Sequence, residues 1–218
     1  MIDIYYSRNV AGNSFFGINE NNEAFLVDPS FSEDGGLINH IHKLNIKLVA
    51  ILITHGHWDH ISSLEEICKE FPDARVYIGE EEADFLSNAH YNLSQEAFDE
   101  GYPVKVVTYV PEHLLKVSDG EIIKEAGFEI KVIHTPFHTK GSICFYLEKE
   151  KALFSGDTLF FSTIGRTDLP TGSNRTVESS LAKLKALPEG IKVYPGHGAC
   201  TFLDREKKYN SYLKISNI

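Results

Sequence analysis

Apolar positions alternate with polar ones, or run together in short β-branched stretches, over most of the opening third. Ile2–Tyr6, Ser14–Ile18 and Ala24–Asp28 predict strands, with Gly17 and Asn19–Asn22 as turn material. After Asp34-Gly35-Gly36 the period changes: Leu37, Ile38, Ile41 and Leu44 recur at helical spacing. Lys47–Ile53 predicts a buried strand that stops at a cluster of histidines. Leu64, Ile67, Cys68 and Phe71 predict a helix ended by Pro72, and Arg75–Ile78 another strand. The second half repeats this order without repeating the sequence. Val104–Val110, Glu121–Glu125 and Phe128–His134 read as strands, and Ile143–Leu147 with Ala152–Ser155 as a hairpin across Glu148–Lys151. Val177, Leu181, Leu184 and Leu187 share a helical face. Strand Ile191–Tyr194 and a last helix near Leu203–Leu213 complete the pattern. Strands mixed with helices in both halves predict an α+β fold, two sheets sandwiched by helices.

Composition narrows the class. No Pro/Gly-rich linker divides the 218 residues, so one domain over 1–218 is expected. Apolar content of 42% with 24% charged residues is ordinary for a soluble protein. No run reaches the roughly 18 apolar residues of a membrane span, and the first residues do not resemble a signal peptide. Cys68, Cys144 and Cys200 are too few and too scattered for a disulfide framework, which fits a reducing cytoplasm. A net charge of −10 without a basic patch argues against nucleic acid and anionic membrane as partners. Ten histidines change the picture most, because several follow directly on apolar runs.

His55, His57, Asp59 and His60 fall within six residues after the strand Lys47–Ile53. Packing does not call for four such groups together, whereas imidazole and carboxylate suit zinc or iron. On a loop, His55 and His57 can face one point and Asp59 and His60 another, so the pattern points to a binuclear site. Three other strand-to-loop junctions offer further ligands: Ile133–Ser142 with His134 and His138, Leu153–Leu159 with Asp157, and Val193–Gly198 with His197. His40, His42, His90 and His113 lie in helical, loop or polar settings and read as ordinary solvated histidines.

These four motifs together resemble the metallo-β-lactamase fold, and the chain is similar to its short, glyoxalase II-like (hydroxyacylglutathione hydrolase-like) branch. The likeness runs from Ala24-Phe25-Leu26-Val27-Asp28-Pro29 to the final helix. It includes Gly165-Arg166-Thr167-Asp168-Leu169-Pro170 and the tail Arg205-Glu206-Lys207, Asn210, Tyr212-Leu213. It implies an αββα sandwich of two mixed β-sheets flanked by helices. It also implies two divalent metal ions, zinc first and iron or manganese as alternatives. His55, His57 and His138 would hold one, Asp59, His60 and His197 the other, with Asp157 bridging. By the same likeness Asp28 orients a ligand imidazole, Asp59 doubles as a catalytic group, and the substrate is a glutathione-type thioester. Its anionic groups would meet Lys140 and Arg166, with Arg175 a weaker candidate. His134, four residues before His138, reads as a strand-end histidine rather than a ligand.

Departures from the family pattern concern the pocket more than the ligands. Phe137 stands where glycine is usual and is expected to close part of the pocket or shift His138. Ser30, Ala199, Phe202 and Ser211 replace other customary residues. The tail after His197 is too short for the helical domain of the longer glyoxalase II enzymes. Competing readings are a mononuclear-iron persulfide dioxygenase on His55, His138 and Asp157, another hydrolase of the fold (lactonase, β-lactamase or phosphodiesterase), and a non-catalytic metal protein.

Overall fold

The structure, a computed structural model, describes residues 1–7 and 12–214. The first half lays down strands β1 (Ile2–Tyr6), β2 (Asn13–Ile18) and β3 (Glu23–Val27), helix α1 (Gly36–Leu44) and strand β4 (Lys47–Ile53). Helices α2 (Trp58–Ile61) and α3 (Leu64–Glu70), strand β5 (Arg75–Gly79), helix α4 (Ser94–Asp99) and strand β6 (Leu114–Val117) follow. These six strands form one sheet in sequence order, antiparallel from β1 to β3 and parallel from β3 to β6. Side chains on a strand alternate between faces, so β2 and β3 present two apolar surfaces. Phe15, Phe25 and Val27 face one core, while Phe16, Ile18, Ala24 and Leu26 face another with Leu37 and Ile41 of α1 and Leu64 and Ile67 of α3.

The second half builds the opposing layers. Strands β7 (Ile122–Glu125), β8 (Phe128–His134), β9 (Ile143–Leu147) and β10 (Ala152–Gly156) precede a small hairpin, β11 (Leu159–Phe160) and β12 (Thr163–Ile164). Helix α5 (Val177–Lys185), strands β13 (Lys192–Pro195) and β14 (Thr201–Phe202), and helices α6 (Leu203–Tyr209) and α7 (Ser211–Lys214) end the chain. The second sheet runs β14-β13-β10-β9-β8-β7, with only β10 and β13 parallel. Phe128, Ile130, Val132, Phe145 and Phe154 meet Phe15 and Phe25 between the sheets. Cys144, Tyr146, Leu153 and Val193 turn outward to Leu181, Leu184, Leu203 and Leu213 of the helices. The layers therefore run helix, sheet, sheet, helix, as the likeness implied. Among the described residues no helix is long and apolar enough to cross a membrane.

Two expected elements differ. Val104–Val110 is not a strand: Asn92 donates to the Val107 carbonyl (2.9 Å) and Ser94 accepts from the Val107 amide (2.8 Å). Those side chains take the backbone bonds a ladder would use. The sheet edge goes instead to β6, seated on β5. The final helix is broken at Asn210, whose backbone is extended and whose side-chain oxygen accepts from the Tyr212 amide, starting α7 afresh.

At the edge where the two sheets meet, Glu125 of β7 is buried and receives the Arg75 guanidinium (2.5 Å) and the Tyr77 hydroxyl of β5. A charge-assisted bond is worth about 1.5–3 kcal/mol, and its loss also leaves the half-buried Tyr77 hydroxyl without its acceptor. Glu125→Ala should accordingly lower unfolding free energy by about 2 kcal/mol in a denaturant titration. An unchanged midpoint would show that this tie between sheets carries no stability.

Candidate metal centre

Every histidine and carboxylate of the cluster lies where a strand ends and the backbone turns. His55 and His57 follow β4, Asp59 and His60 sit in α2, His138 is in the β8–β9 loop, and Asp157 and His197 follow β10 and β13. Because β4, β10 and β13 end on the same side of the sandwich, residues 142 positions apart converge. Three ligand-like groupings result: His55, His57 and His138; His55, His60 and Asp157; and Asp59, His60 and His197. In each, the donor atoms lie within 4.8 Å of one another. Asp157 joins the halves, with Oδ2 at 3.3 Å from His138 Nε2 and 3.4 Å from His197 Nε2, and Oδ1 at 3.4 Å from His60 Nε2. Asp59 Oδ2 is 3.1 Å from His197 Nε2.

Hydrogen bonds behind the cluster fix which ring nitrogen faces inward. A carbonyl can only accept, so His138 Nδ1–H donates to the Arg166 oxygen (2.8 Å) and leaves Nε2 as its lone-pair nitrogen. His60 Nδ1–H donates likewise to Asp28 Oδ2 (2.9 Å). The Thr54 hydroxyl gives its proton to the same carboxylate (2.7 Å), so its oxygen is left to accept from His55 Nδ1–H (3.2 Å). Asp28 also receives the Thr54 amide (2.8 Å). It reaches all of these from a left-handed backbone conformation (φ 51°), a costly turn for a residue with a side chain. At Gly196 a Cβ would lie 2.3 Å from Asp157 Oδ1 and 2.6 Å from His60 Cε1, so only glycine lets this loop approach the cluster.

Charge follows the same geometry. Burial and the neighbouring imidazoles hold His55 well below the usual range and bring His57 down to about 3, so both stay neutral donors. For Asp157, burial works against the charged form, but facing His60 and His197 outweighs it and keeps the carboxylate ionised. Asp59 is held at about 2 in the same way, by His60 and His197 against its own burial. The carboxylates in turn overcome the burial of His60 and His197, raising His60 and lifting His197 to about 10. One end of the centre thus offers neutral nitrogen donors, and the other strongly favours positive charge.

The donor set fits a cation. His55 Nε2, His57 Nε2 and Asp157 Oδ1 are buried without a hydrogen-bond partner, a costly arrangement unless something else satisfies them. His57 Nδ1 and His138 Nε2 approach to 3.0 Å, and His60 Nε2 and His197 Nε2 to 3.2 Å. Nitrogens at such spacing, with a carboxylate between, suit divalent metal ions with N and O ligands.

The remaining candidates are placed differently. Lys140 is ion-paired with Asp84 (2.6 Å) and lies over the Phe85 and Tyr91 rings. The Arg166 guanidinium forms a two-pronged pair with Asp168 at 2.7 Å, exposed to solvent, and its carbonyl is what orients His138. His134 faces the Lys140 carbonyl (3.0 Å), outside the ligand groupings. His40, His42 and His90 each meet an acid, Asp3, Glu70 and Glu96. Phe137 does not close the pocket: it is fully buried in the core beneath α5. Sequence reasoning passed over Asn13 and Thr54. Asn13 donates to the Pro195 and Gly198 carbonyls (2.9 and 3.0 Å) on either side of His197, a partnership no local pattern announces.

With this geometry in hand, likeness to known proteins becomes informative. The family model of the metallo-beta-lactamase superfamily matches residues 8–197. The chain is 35% identical over 191 residues to the hydroxyacylglutathione hydrolase GloC of Haemophilus influenzae, covering 87% of each chain. Among solved structures it is similar to BLEG-1, a B3 metallo-beta-lactamase, with TM-score 0.87 and 31% identity over 98% of this chain and 99% of that one. TTHA1623, solved in a di-iron-bound form, gives TM-score 0.83 and 26% identity over 97% and 100%. A matched family model, a relative of this identity and an αββα frame with its histidines at the strand ends agree: the chain belongs to the metallo-beta-lactamase superfamily and is one of its metallo-hydrolases.

Proposed function

We propose that this protein hydrolyses a thioester of the hydroxyacylglutathione type at a two-cation centre. The observation that carries the reading is Asp157, whose two oxygens face histidines of both half-sites. A three-ligand iron centre would leave Asp59, His60 and His197 without a purpose. Likeness to GloC supports the thioester as substrate.

In this proposal His55, His57 and His138 hold one ion, Asp59, His60 and His197 the other, and Asp157 lies between. Two divalent cations, when bound, supply an acidified water and a Lewis acid for the carbonyl. The chain's own groups do the rest. Asp28, Thr54 and the Arg166 carbonyl hold three imidazoles by their outer nitrogens. Asp59 stays ionised and is only 18% exposed, so it would accept a hydrogen bond from the attacking water and orient it, while the departing thiolate takes its proton from solvent. A groove of about 480 Å³ lined by Gly165, Arg166, Val177 and Tyr212 has room for a peptide-like thiol. There Arg166 can exchange Asp168 for a substrate carboxylate, its planar fork suiting either partner. Lys140 serves as a second cation for the substrate. Cys68, Cys144 and Cys200 are all unpaired, in keeping with a cytosolic setting.

A second reading rests on the likeness to BLEG-1: in it the same centre opens a β-lactam, and a chromogenic cephalosporin tests that directly.

Metal analysis of the purified protein should find two divalent ions per chain, with thioester turnover. One iron with sulfide-dependent oxygen uptake, or β-lactam turnover alone, would sink the thioester assignment. His138→Ala or Asp157→Ala should reduce kcat/KM by on the order of 10³ or more with the circular dichroism spectrum retained. Asp28→Asn should weaken metal binding about 10- to 100-fold, since an amide oxygen facing His60 and the Thr54 hydroxyl leaves its NH₂ against the Thr54 N–H, where the carboxylate offers a second acceptor. Arg166→Ala should raise KM several-fold, roughly, with kcat little changed; a fall in kcat alone would remove Arg166 from substrate binding.

A further inference from the structure

Glu82 is a fully buried acid that the reaction leaves without a task. It lies in the 3₁₀ segment Glu80–Ser87 that follows β5, beside the exposed Glu80, Glu81 and Asp84. Its two oxygens turn inward and accept three hydrogen bonds. Oε1 receives the Gly56 amide (2.9 Å), while Oε2 receives the Thr139 hydroxyl and the Gly141 amide (2.9 Å each). Gly56 lies between His55 and His57, and Thr139 follows His138. One carboxylate therefore ties the histidine pair carried by the first sheet to the histidine carried by the second.

Two features argue that this tie serves the centre and not packing alone. Burying a carboxylate is unfavourable unless donors face it, and this one is enclosed only because three donors from two loops converge on it. What a carboxylate adds is a pair of acceptor oxygens, here aimed at donors on two separate loops. The loops also need a restraint: His57 Nδ1 and His138 Nε2 lie 3.0 Å apart, and ring nitrogens that both turn lone pairs toward one cation, as the proposed ligand assignment requires, repel until the ion is bound. The β8–β9 loop is packed onto Glu82 so closely that a Cβ on Gly141 would lie 2.5 Å from the Glu82 amide nitrogen and 2.6 Å from Oε2.

We propose that Glu82 is the positioning residue of the half-site formed by His55, His57 and His138, fixing the separation of His57 and His138 and so the affinity and geometry with which that half-site holds a divalent cation. The inference rests on the ligand assignment proposed above, and it concerns the protein's hold on the ion whatever the substrate.

The test uses the full-length protein, stripped with a chelator. Zn²⁺ is titrated back against a chromophoric competitor, and Co²⁺ absorbance reports ligand geometry. Glu82→Gln should weaken one of two Zn²⁺ equivalents about 10- to 100-fold, leave the other within about threefold, and change the Co²⁺ spectrum of the weakened site. Gly141→Ala, which pushes the loop away by a different atom, should weaken the same equivalent. Should Glu82→Gln fail to fold, Glu82→Asp and Gly141→Ala carry the comparison. Glu125→Ala, a buried acid tying the sheets at another edge, should lose thermal stability with both affinities intact. Lowered stability of the Glu82 and Gly141 variants with unchanged Zn²⁺ affinities and Co²⁺ spectrum would overturn the inference. His138→Ala in parallel separates the two claims. If it abolishes one Zn²⁺ equivalent while Glu82→Gln changes nothing, the ligand assignment stands and the role of Glu82 falls; if it abolishes neither, the ligand assignment itself fails.

Discussion

Burying Asp157 and Asp59 among histidines is the constraint on which this end of the molecule depends. A buried carboxylate is tolerated only where positive charge or strong donors face it, and here His60 and His197 do so from two different loops. Those loops must therefore be brought close, and held, by the strands beneath them. The two sheets supply that frame. Their inner faces share a core of phenylalanines from β2, β3, β8, β9 and β10, which fixes the distance between layers and sets the ends of β4, β10 and β13 side by side.

Around the carboxylates is a shell of groups that touch no reacting atom. Asp28 gathers His60 and Thr54 from the first sheet, the Arg166 carbonyl steadies His138, and Asn13 grips the turn that carries His197. Each uses a strong acceptor or donor to decide which way an imidazole or a loop turns. The chain accepts unfavourable local geometry in return, as in the left-handed backbone of Asp28. Orientation by outer hydrogen bonds is how a protein tunes a metal centre without changing its ligands.

The cations proposed to meet the substrate are held more loosely than the histidine cluster. The Arg166 guanidinium and Lys140 ammonium are paired with the exposed Asp168 and Asp84, partners that solvent screens and a ligand can displace. Members of one superfamily can thus share a buried centre and differ at the rim, because rim pairs exchange at little energetic cost while the buried network does not. Likeness to both a hydroxyacylglutathione hydrolase and a metallo-beta-lactamase is what such a division would produce.

The sequence by itself determined the layers and the ligand candidates. Short apolar runs in β3 and β4 mark strands buried on both faces, helical spacing in α1 and α5 separates buried from exposed faces, and His55–His60 is a cluster no packing argument explains. Local pattern misled where side chains competed for backbone bonds. Val104–Val110 has strand composition, yet Asn92 and Ser94 occupy the carbonyl and amide of Val107, and Asn210 interrupts an otherwise helical tail. Phe137 was legible as a departure from pattern but not as a core residue, since only the packing of α5 shows which way it turns. Glu82 was hidden altogether: within Glu80-Glu81-Glu82 it has the composition of a solvated run. Tertiary structure alone decided that one of those three acids would be enclosed, because its partners, Gly56 and Gly141, come from loops 85 residues apart and meet only when both sheets are in place.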